Sequence, residues 1–265
     1  MRTLRLTIAY DGTDYAGWQV QRSRTPTIQG TLQETAARIL QQHVVVVASG
    51  RTDAGVHALG QVAHLRTASR LACASLQRAL NALLPDDIVV LDVREVAPQF
   101  HARFLAVSKH YRYRLVNGPV VPPFVRRYVH QVVAPLNVRL MRREARALLG
   151  RHDFRSFHKS DRVVVDAVRQ LWVARIVLEG DELAIDLVAD GFLQGMGRAI
   201  AGTLIEIGRG RLPPGSMRRI LRAKDRRAAG PTAPARGLCL MRVGYRPIRR
   251  DPEAPVWLIR SLTRE

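Results

Sequence analysis

The order of predicted strands and helices constrains this 265-residue chain more than any other feature, because one order occurs twice. Up to Val96, apolar residues alternate or recur at helical spacing in the order βαββαβ. The predicted elements are the strands Leu4–Tyr10, Val44–Ala48, Gln61–Thr67 and Ile88–Val96, and the helices Thr27–Gln42 and Ala72–Leu84. This order is typical of a split βαβ, ferredoxin-like sheet.

A similar order begins after Val107. Its predicted elements are the strands Lys109–Val116, Val168–Leu178, Leu183–Ala189 and Leu238–Tyr245, and the helices Leu140–Leu149, Phe192–Ile207 and Ser216–Ala223. Turn-forming residues predict a surface loop over Asn117–Asn137 and a flexible or RNA-contacting connection over Lys224–Arg236.

We therefore predict an α+β fold with two ferredoxin-like, RRM-like sheets side by side. One half spans residues 1–107, and the other spans residues 108–265 and ends in a short extension with an apolar patch at Trp257. Ligand sites usually lie in clefts between such units, so the cleft between the halves is the predicted active site.

Charge is distributed unevenly between these halves. The chain carries 42 basic and 22 acidic residues. Residues 1–107 contain eleven basic and eight acidic residues, a net charge of +3, and the remainder contains thirty-one and fourteen, a net charge of +17. This surplus indicates a polyanionic partner, most simply a nucleic acid. Only three basic residues are lysines, and a bias to arginine also fits codon composition or heat tolerance. Composition alone leaves RNA, DNA and an anionic membrane surface open.

Two other features exclude whole classes of protein. Cys73 and Cys239 lie far apart with no CxxC partner, which excludes a disulfide framework and a cysteine-rich zinc site. The apolar runs are too short to span a bilayer, and the N-terminal residues alternate like a strand instead of forming a signal peptide. We expect a cytoplasmic protein without a membrane partner.

The sequence "VVVVASGRTDAG" contains the strongest chemical signal. Four valines, Val44–Val47, predict a strand buried on both faces, and it runs directly into a loop with Arg51 and Asp53 between two glycines. An Asx turn is the common explanation for such an aspartate. A rigid strand beneath it, glycines that allow close approach and apolar surroundings favour an activated carboxylate instead, acting as nucleophile or base. Arg51 either neutralises Asp53 or binds a substrate phosphate.

The longer stretch "GRTDAGVHALGQVAH" resembles the signature of the TruA-type tRNA pseudouridine synthases. Five further blocks occur in the order of that family: "YDGTDYAGWQ", "FHARF" with "SKHYRYR", "LLGRHDFRSF", "FLQGMGRAIAGTLIEIG" and "APARGLCL". The resemblance extends at least to Tyr245. It implies a pseudouridine synthase fold and conversion of uridine to pseudouridine at positions 38, 39 and 40 of the tRNA anticodon arm. It also implies no metal or cofactor, and a homodimer in which one tRNA contacts both subunits.

The resemblance also assigns the catalytic pair. Asp53 matches the essential aspartate of the family, and Arg198 matches the arginine that pairs with it and holds it ionised. The surrounding Met196-Gly197-Arg198-Ala199 departs from the common "MVRN" but keeps the arginine. Without the resemblance, an arginine on a helix would be read as a solvated charge.

Three substrate-binding residues follow from the same resemblance. Tyr111 matches the tyrosine that stacks on the target base and acts as the base in the last proton transfer. Arg51 matches the arginine that helps to extrude the target nucleotide. Leu240 is the expected apolar wall of the pocket, with Leu238 as the alternative. Taken alone, Tyr111 would be an ordinary core tyrosine.

Two other classes of function compete with this interpretation. One is a non-catalytic RNA-binding protein with tandem RRM-like sheets, but the sequence lacks the aromatic RNP motif and contains only 6% aromatic residues. The other is a hydrolase that acts on a nucleoside through two carboxylates. That mechanism needs a second acid beside Asp53, and neither Asp11 nor Asp14 is a clear partner by spacing.

Overall fold

Strands and helices alternate along the chain in an α+β fold. The structure, a computed structural model, describes residues 1–21, 25–159, 166–180 and 182–246. Its strands are β1 (Arg2–Tyr10), β2 (Val47–Ala48), β3 (His57–Thr67), β4 (Ile88–Val96), β5 (Ser108–Asn117), β6 (His130–Val132), β7 (Gly150–Asp153), β8 (Val168–Glu179), β9 (Glu182–Ala189) and β10 (Leu238–Gly244). Its α-helices are α1 (Ile28–Leu40), α2 (Cys73–Leu83), α3 (Val138–Ala145), α4 (Met196–Gly208) and α5 (Ser216–Ala223).

One ten-stranded sheet contains strands from both ends of the chain. Its order is β4-β1-β3-β10-β5-β9-β8-β7, while β2 pairs with β3 and β6 pairs with β5. The last strand, β10, joins the two parts, because it is parallel to β3 and antiparallel to β5. The prediction of two separate sheets is therefore wrong, although the predicted βαββαβ order of the first half is confirmed.

Alternation along β1 shows how the first half builds its core. Leu4, Leu6, Ile8 and Tyr10 are buried on one face of the strand, as the two-residue period of a strand requires. Helix α1 contributes its own apolar stripe to the core, and the Thr27 side chain caps the start of the helix by accepting a hydrogen bond from the Gly30 amide.

The valine run is shorter and more exposed than predicted. Only its last residue, Val47, enters a strand with Ala48, and this two-residue β2 pairs with His64 and Ala63 of β3. Val45 is 52% exposed, although Val44 and Val46 are buried. The run therefore alternates at the sheet margin instead of being buried on both faces.

Three predictions of secondary structure in the second half are wrong. Helix α3 ends at Ala145, and after a 3₁₀ turn the chain forms β7, which the sequence did not predict. The predicted loop Asn117–Asn137 contains β6. Helix α4 begins at Met196 instead of Phe192, because Gly195 takes φ +73° and caps it. The predicted connection Lys224–Arg236 packs closely on α4, where a Cβ on Gly202 would lie 1.8 Å from the Pro231 carbonyl oxygen.

The predicted C-terminal apolar patch at Trp257 lies outside the described residues. Among the helices of the described ranges, none is long and apolar enough to cross a membrane.

Candidate active site

The loop that carries Asp53 lies where the two parts of the sheet meet. One side of β3 pairs with β2 at His64 and Ala63, and further along it pairs with β10 at His57 and Ala58. The loop of residues 49–56 fills the interval between these two pairings. Asp53 therefore stands at the joint between the first half of the chain and its last strand.

Buried hydrogen bonds hold this loop from below. The Thr52 hydroxyl lies 2.8 Å from the Tyr10 hydroxyl. The Gln61 side-chain amide donates to the Gly50 carbonyl at 2.9 Å, and the Trp18 amide donates to the Thr52 carbonyl at 3.1 Å. Each partner belongs to a strand or to the segment that follows one. The backbone on both sides of Asp53 is thus fixed, as a preorganised site requires.

Two glycines of the "YDGTDYAGWQ" block let the first loop press against the Asp53 loop. A Cβ on Gly12 would lie 2.1 Å from the Val56 carbonyl oxygen, and one on Gly17 would lie 2.7 Å from the Thr52 carbonyl oxygen. Gly17 also takes φ +91°, a conformation that other residues rarely adopt. Backbone packs directly on backbone at both positions.

Asp53 forms an ion pair with Arg198, which lies 145 residues away in sequence. The Arg198 Nη1 donates to Asp53 Oδ2 at 3.0 Å, and the two side chains are 14% and 20% exposed. The guanidinium is held from behind because Arg198 Nε donates to the Ala233 carbonyl at 2.8 Å. A fixed, partly buried guanidinium is a strong, charged hydrogen-bond donor that orients the carboxylate.

Tyr111 on β5 forms the facing wall. Its ring meets Phe192 edge to face at 4.8 Å. Burial raises the pKa of the Tyr111 phenol, and the nearby Tyr10 and Asp53 raise this pKa further, so the phenol is neutral. No hydrogen bond engages the Tyr111 hydroxyl in the part of the chain that the structure describes. The hydroxyl is therefore available to a bound substrate.

These residues surround a cavity of about 960 Å³, a volume typical of small-molecule and cofactor sites. Its charged lining residues are four cations, Arg51, Arg103, Lys109 and Lys159, and one carboxylate, Asp53. Trp18, Phe192 and Leu238 supply apolar and aromatic surface. The cavity is therefore suited to an anionic ligand that carries a flat ring.

The predicted residues converge here with one exception. Arg51 and Tyr111 line the cavity beside Asp53, which Arg198 contacts. Arg51 is exposed and forms no ion pair with any described residue. The structure places Leu238 in the lining, whereas Leu240 is fully buried beyond it. A Cβ on Gly197 would lie 3.5 Å from the Leu238 side chain, so Leu238 packs against the start of α4.

Several lining residues were absent from the sequence-based site. Trp18, Arg103 and Phe192 lie inside the blocks that resemble the family, but the resemblance assigned them no role. Lys109 lies two residues before Tyr111 on one strand. The two-residue period of a strand puts Lys109 on the face of Tyr111, a signal that was present in the sequence.

Comparisons with known proteins show which family the chain resembles. A family model described as tRNA pseudouridine synthase matches residues 6–105 and 145–246. The chain is 48% identical to tRNA pseudouridine synthase A of Moorella thermoacetica over 92% of this chain and 100% of that protein. It is 44% identical to the Brevibacillus brevis protein of the same name, with the same coverage. Identity to the Anoxybacillus flavithermus protein is 45%, over 92% and 99% of the two chains.

Proposed function

This chain belongs to the tRNA pseudouridine synthase family and converts uridine to pseudouridine in tRNA, and we propose that Asp53 is the residue that carries out the conversion. The observation that supports this role is the Asp53–Arg198 ion pair at 3.0 Å. It fixes the Asp53 side chain at the edge of a cationic cavity. Asp53 is also the one carboxylate among the described residues that line this cavity.

The reaction is an isomerisation within one nucleotide. The N1–C1′ bond breaks, the uracil turns, and C5 bonds to C1′, while the proton on C5 is lost and N1 gains one. Asp53 serves either as a nucleophile toward the sugar or base, or as the base that removes a C2′ proton. Both roles need a carboxylate oxygen aimed at the substrate, and the Arg198 guanidinium orients this side chain through a charge-assisted hydrogen bond.

The uridine must leave its stack to reach Asp53, at a cost of a few kcal/mol. Stacking on Tyr111 returns about 1–3 kcal/mol of this cost. The free hydroxyl of Tyr111 would then face the base, where it can take part in the last proton transfer. We assign extrusion of the nucleotide to Arg51, which is exposed at the cavity. Leu238 replaces Leu240 as the proposed apolar wall.

The resemblance to the family supports more specific proposals about the target, the assembly and the fold. We propose uridines 38, 39 and 40 of the anticodon arm as targets, and a cytoplasmic homodimer in which one tRNA contacts both subunits. We also propose two ferredoxin-like halves, residues 1–107 and 108–265. Support comes from the strand orders β4-β1-β3-β2 and β10-β5-β9-β8, which place corresponding strands of each half alike. Light scattering of the free protein and of its tRNA complex tests the dimer.

The test of the proposed function uses unmodified tRNA. Purified protein should form pseudouridine at positions 38–40, mapped at single-nucleotide resolution. Asp53→Asn, which keeps the size and removes the charge, should lower the single-turnover rate by about 10³-fold or more while tRNA affinity stays within a few-fold. Substantial turnover by Asp53→Asn would remove Asp53 from the mechanism.

The same experiment addresses the two competing functions. An RNA-binding protein without activity would retain tRNA and form no pseudouridine. A hydrolase would release free uracil or a cleaved sugar. Its second carboxylate has no candidate here, because Asp11 is engaged by Thr13 and Tyr128, and neither Asp11 nor Asp14 lines the cavity.

A further inference from the structure

Lys109 is a cation of the active-site cavity that is shielded from solvent without being paired. Within the described ranges, the Lys109 ammonium forms neither a hydrogen bond nor an ion pair, and unlike Arg51 its side chain is not exposed. Lys109 is half-buried and shares the cavity face of β5 with Tyr111. A buried charge is costly unless it is paired. The structure therefore holds a cation ready for an anion that the protein does not supply.

Gly50 makes room for this ammonium. A Cβ on Gly50 would lie 2.8 Å from Lys109 Nζ, so any side chain there would displace the charge. Gly50 does not take a left-handed φ. Its missing Cβ serves the approach of Lys109 and not a special backbone conformation. The ammonium thus lies beside the loop that carries Asp53, at Gly50, which directly precedes Arg51 and is three residues before Asp53.

A second cation stands nearby on the segment between β4 and β5. Arg103 lines the same cavity, and its positive charge helps to lower the pKa of Lys109 to about 8, after burial as the main cause. The Arg103 segment is anchored, because the Ala102 amide donates to His64 Nδ1 at 3.2 Å. Asp190 offsets part of the repulsion between these cations, and an anion bound between them would offset more of it.

The choice of lysine is itself informative. Lysines account for three of the 42 basic residues, but Lys109 and Lys159 are two of the four basic residues that line the cavity. A chain that otherwise uses arginine keeps lysine here. An ammonium is a compact point charge that fits beside Gly50, whereas a guanidinium is a broad planar fork.

We propose that Lys109, with Arg103, binds one of the two phosphodiesters that flank the extruded uridine. This inference rests on the proposed function, since it places the target nucleotide in this cavity. The contact would fix the sugar–phosphate backbone on the Gly50 side of Asp53. Lys109 would then be a substrate-positioning residue that holds C1′ over the carboxylate.

The test measures binding, so that it does not depend on turnover. Both proteins carry Asp53→Asn to keep the RNA unmodified, and one also carries Lys109→Met. The RNA is an anticodon arm with a single uridine at position 39, made with ordinary linkages or with a neutral methylphosphonate on its 5′ or 3′ side. Lys109→Met should weaken binding of ordinary RNA about 10- to 100-fold. At one of the two positions, the neutral linkage should weaken RNA binding by a similar factor in the protein that keeps Lys109. The same linkage should leave RNA binding by the Lys109→Met protein almost unchanged.

The proposal would be overturned if each neutral linkage weakened RNA binding by the same factor in the Lys109→Met protein as in the protein that keeps Lys109. The matched control is Lys224→Met, which removes the third lysine; it is 57% exposed and lies outside the cavity. This variant should bind all three RNAs within about twofold of its parent, because a single exposed phosphate contact contributes little. An equal loss in Lys224→Met would mean that net charge, and not a site, explains the effect of Lys109.

A second variant keeps the charge and moves it. Gly50→Ala should weaken RNA binding when Lys109 is present and add little when Lys109→Met is already in place. An undiminished Gly50→Ala effect in the Lys109→Met protein would count against the proposal. Absence of pseudouridine formation by the unmutated protein would instead refute the proposed function, whatever these affinities are.

Discussion

The two faces of β5 carry basic residues that differ in whether carboxylates bind them. On one face, Lys109 and Tyr111 open into the catalytic cavity, and Lys109 has no ionic partner among the described residues. On the other face, Arg112 and Arg114 line a second cavity of about 740 Å³. Both arginines bind carboxylates in two-pronged contacts, Arg112 with Asp186 at 2.9 and 3.0 Å and Arg114 with Glu182 at 2.8 Å.

The buried network around Asp186 completes the second face. His110 Nε2 lies 2.8 Å from Asp186, and Arg112 also binds Glu179 at 3.0 Å. Asp186 is fully buried. These hydrogen bonds and charges lower the pKa of Asp186 against the cost of its burial. Here positive charge stabilises the fold and is already neutralised.

The comparison teaches that a count of basic residues does not locate a binding surface. The strand offers "KHYRYR", in which four of six residues are basic or histidine. These basic residues differ only in whether a carboxylate of the protein already binds them. Cations that carboxylates already hold contribute little to RNA binding, whereas unpaired cations at a cavity are available to phosphates.

The largest expected effect comes from breaking the paired face. Arg112→Met leaves Asp186 buried with a reduced set of cations, so we expect a loss of about 3 kcal/mol in the free energy of unfolding. The single-turnover rate of the folded fraction should stay within about twofold, because Arg112 points away from the cavity. Urea unfolding and rapid-quench assays of the same preparation give both numbers.

Arg114→Met is the matched control for that variant. Its ion pair with Glu182 is 34% and 22% exposed, so its removal should cost less than about 1 kcal/mol. Similar losses in the two variants would show that burial does not distinguish these pairs. A large loss of rate in Arg112→Met with normal stability would place this face in the mechanism.

The difference between the faces explains how far the sequence could lead. Alternation along β5 correctly predicts a strand, and the resemblance predicts roles for Asp53, Tyr111 and Arg198. Neither the alternation nor the resemblance predicts that Arg112 binds Asp186, because that contact depends on the register between β5 and β9. The joining of both halves through β10 was missed for the same reason. Two neighbouring strands from opposite ends of a chain leave no periodic signal.

The predicted helix and strand boundaries are wrong where single residues outweigh the periodicity of apolar residues. Apolar spacing extends a helix back to Phe192, but Gly195 with φ +73° starts α4 later. This leaves Phe192 free to pack on Tyr111. The four valines suggest a fully buried strand, but only Val47 and Ala48 pair with β3. The side chains of Gln29 and Gln33 on α1 bind the backbone of Val46 instead.

On the cavity face, Tyr111→Phe should give the next largest effect. The change keeps the ring and its contact with Phe192, but it removes a hydroxyl that no described residue engages. If this hydroxyl takes part in proton transfer, the single-turnover rate should fall about 100-fold with unchanged tRNA affinity. Tyr111→Ala should weaken tRNA binding as well. A Tyr111→Phe protein as fast as the unmutated one would leave Tyr111 only its stacking role.

Arg198→Met tests the one ion pair that faces the cavity. Removing the guanidinium leaves the partly buried carboxylate without its charged hydrogen-bond donor, so the single-turnover rate at pH 7 should fall about 30-fold. The affinity for tRNA should stay within a few-fold, because the Arg198 guanidinium is engaged by Asp53 and the Ala233 carbonyl. Single-turnover rates and filter-binding affinities of the same preparation measure both. A large loss of tRNA affinity with a normal rate for bound tRNA would place Arg198 on the RNA instead of on Asp53.

The smallest expected effect concerns the unpaired lysine. Burial, with Arg103 and Arg169 nearby, lowers the pKa of Lys109 to about 8, while Asp190 opposes the shift. In the free protein the ammonium is therefore mostly charged at pH 7 and mostly neutral at pH 9. A bound phosphate favours the charged form, so RNA affinity should be highest below pH 8 and fall about tenfold by pH 9. In Lys109→Met this loss should disappear, and any titration of the RNA itself affects both proteins alike. Equal slopes of affinity against pH in the two proteins would show that Lys109 does not bind a phosphate. The proposed substrate contacts around the carboxylate would then rest on Asp53, Tyr111 and Arg198.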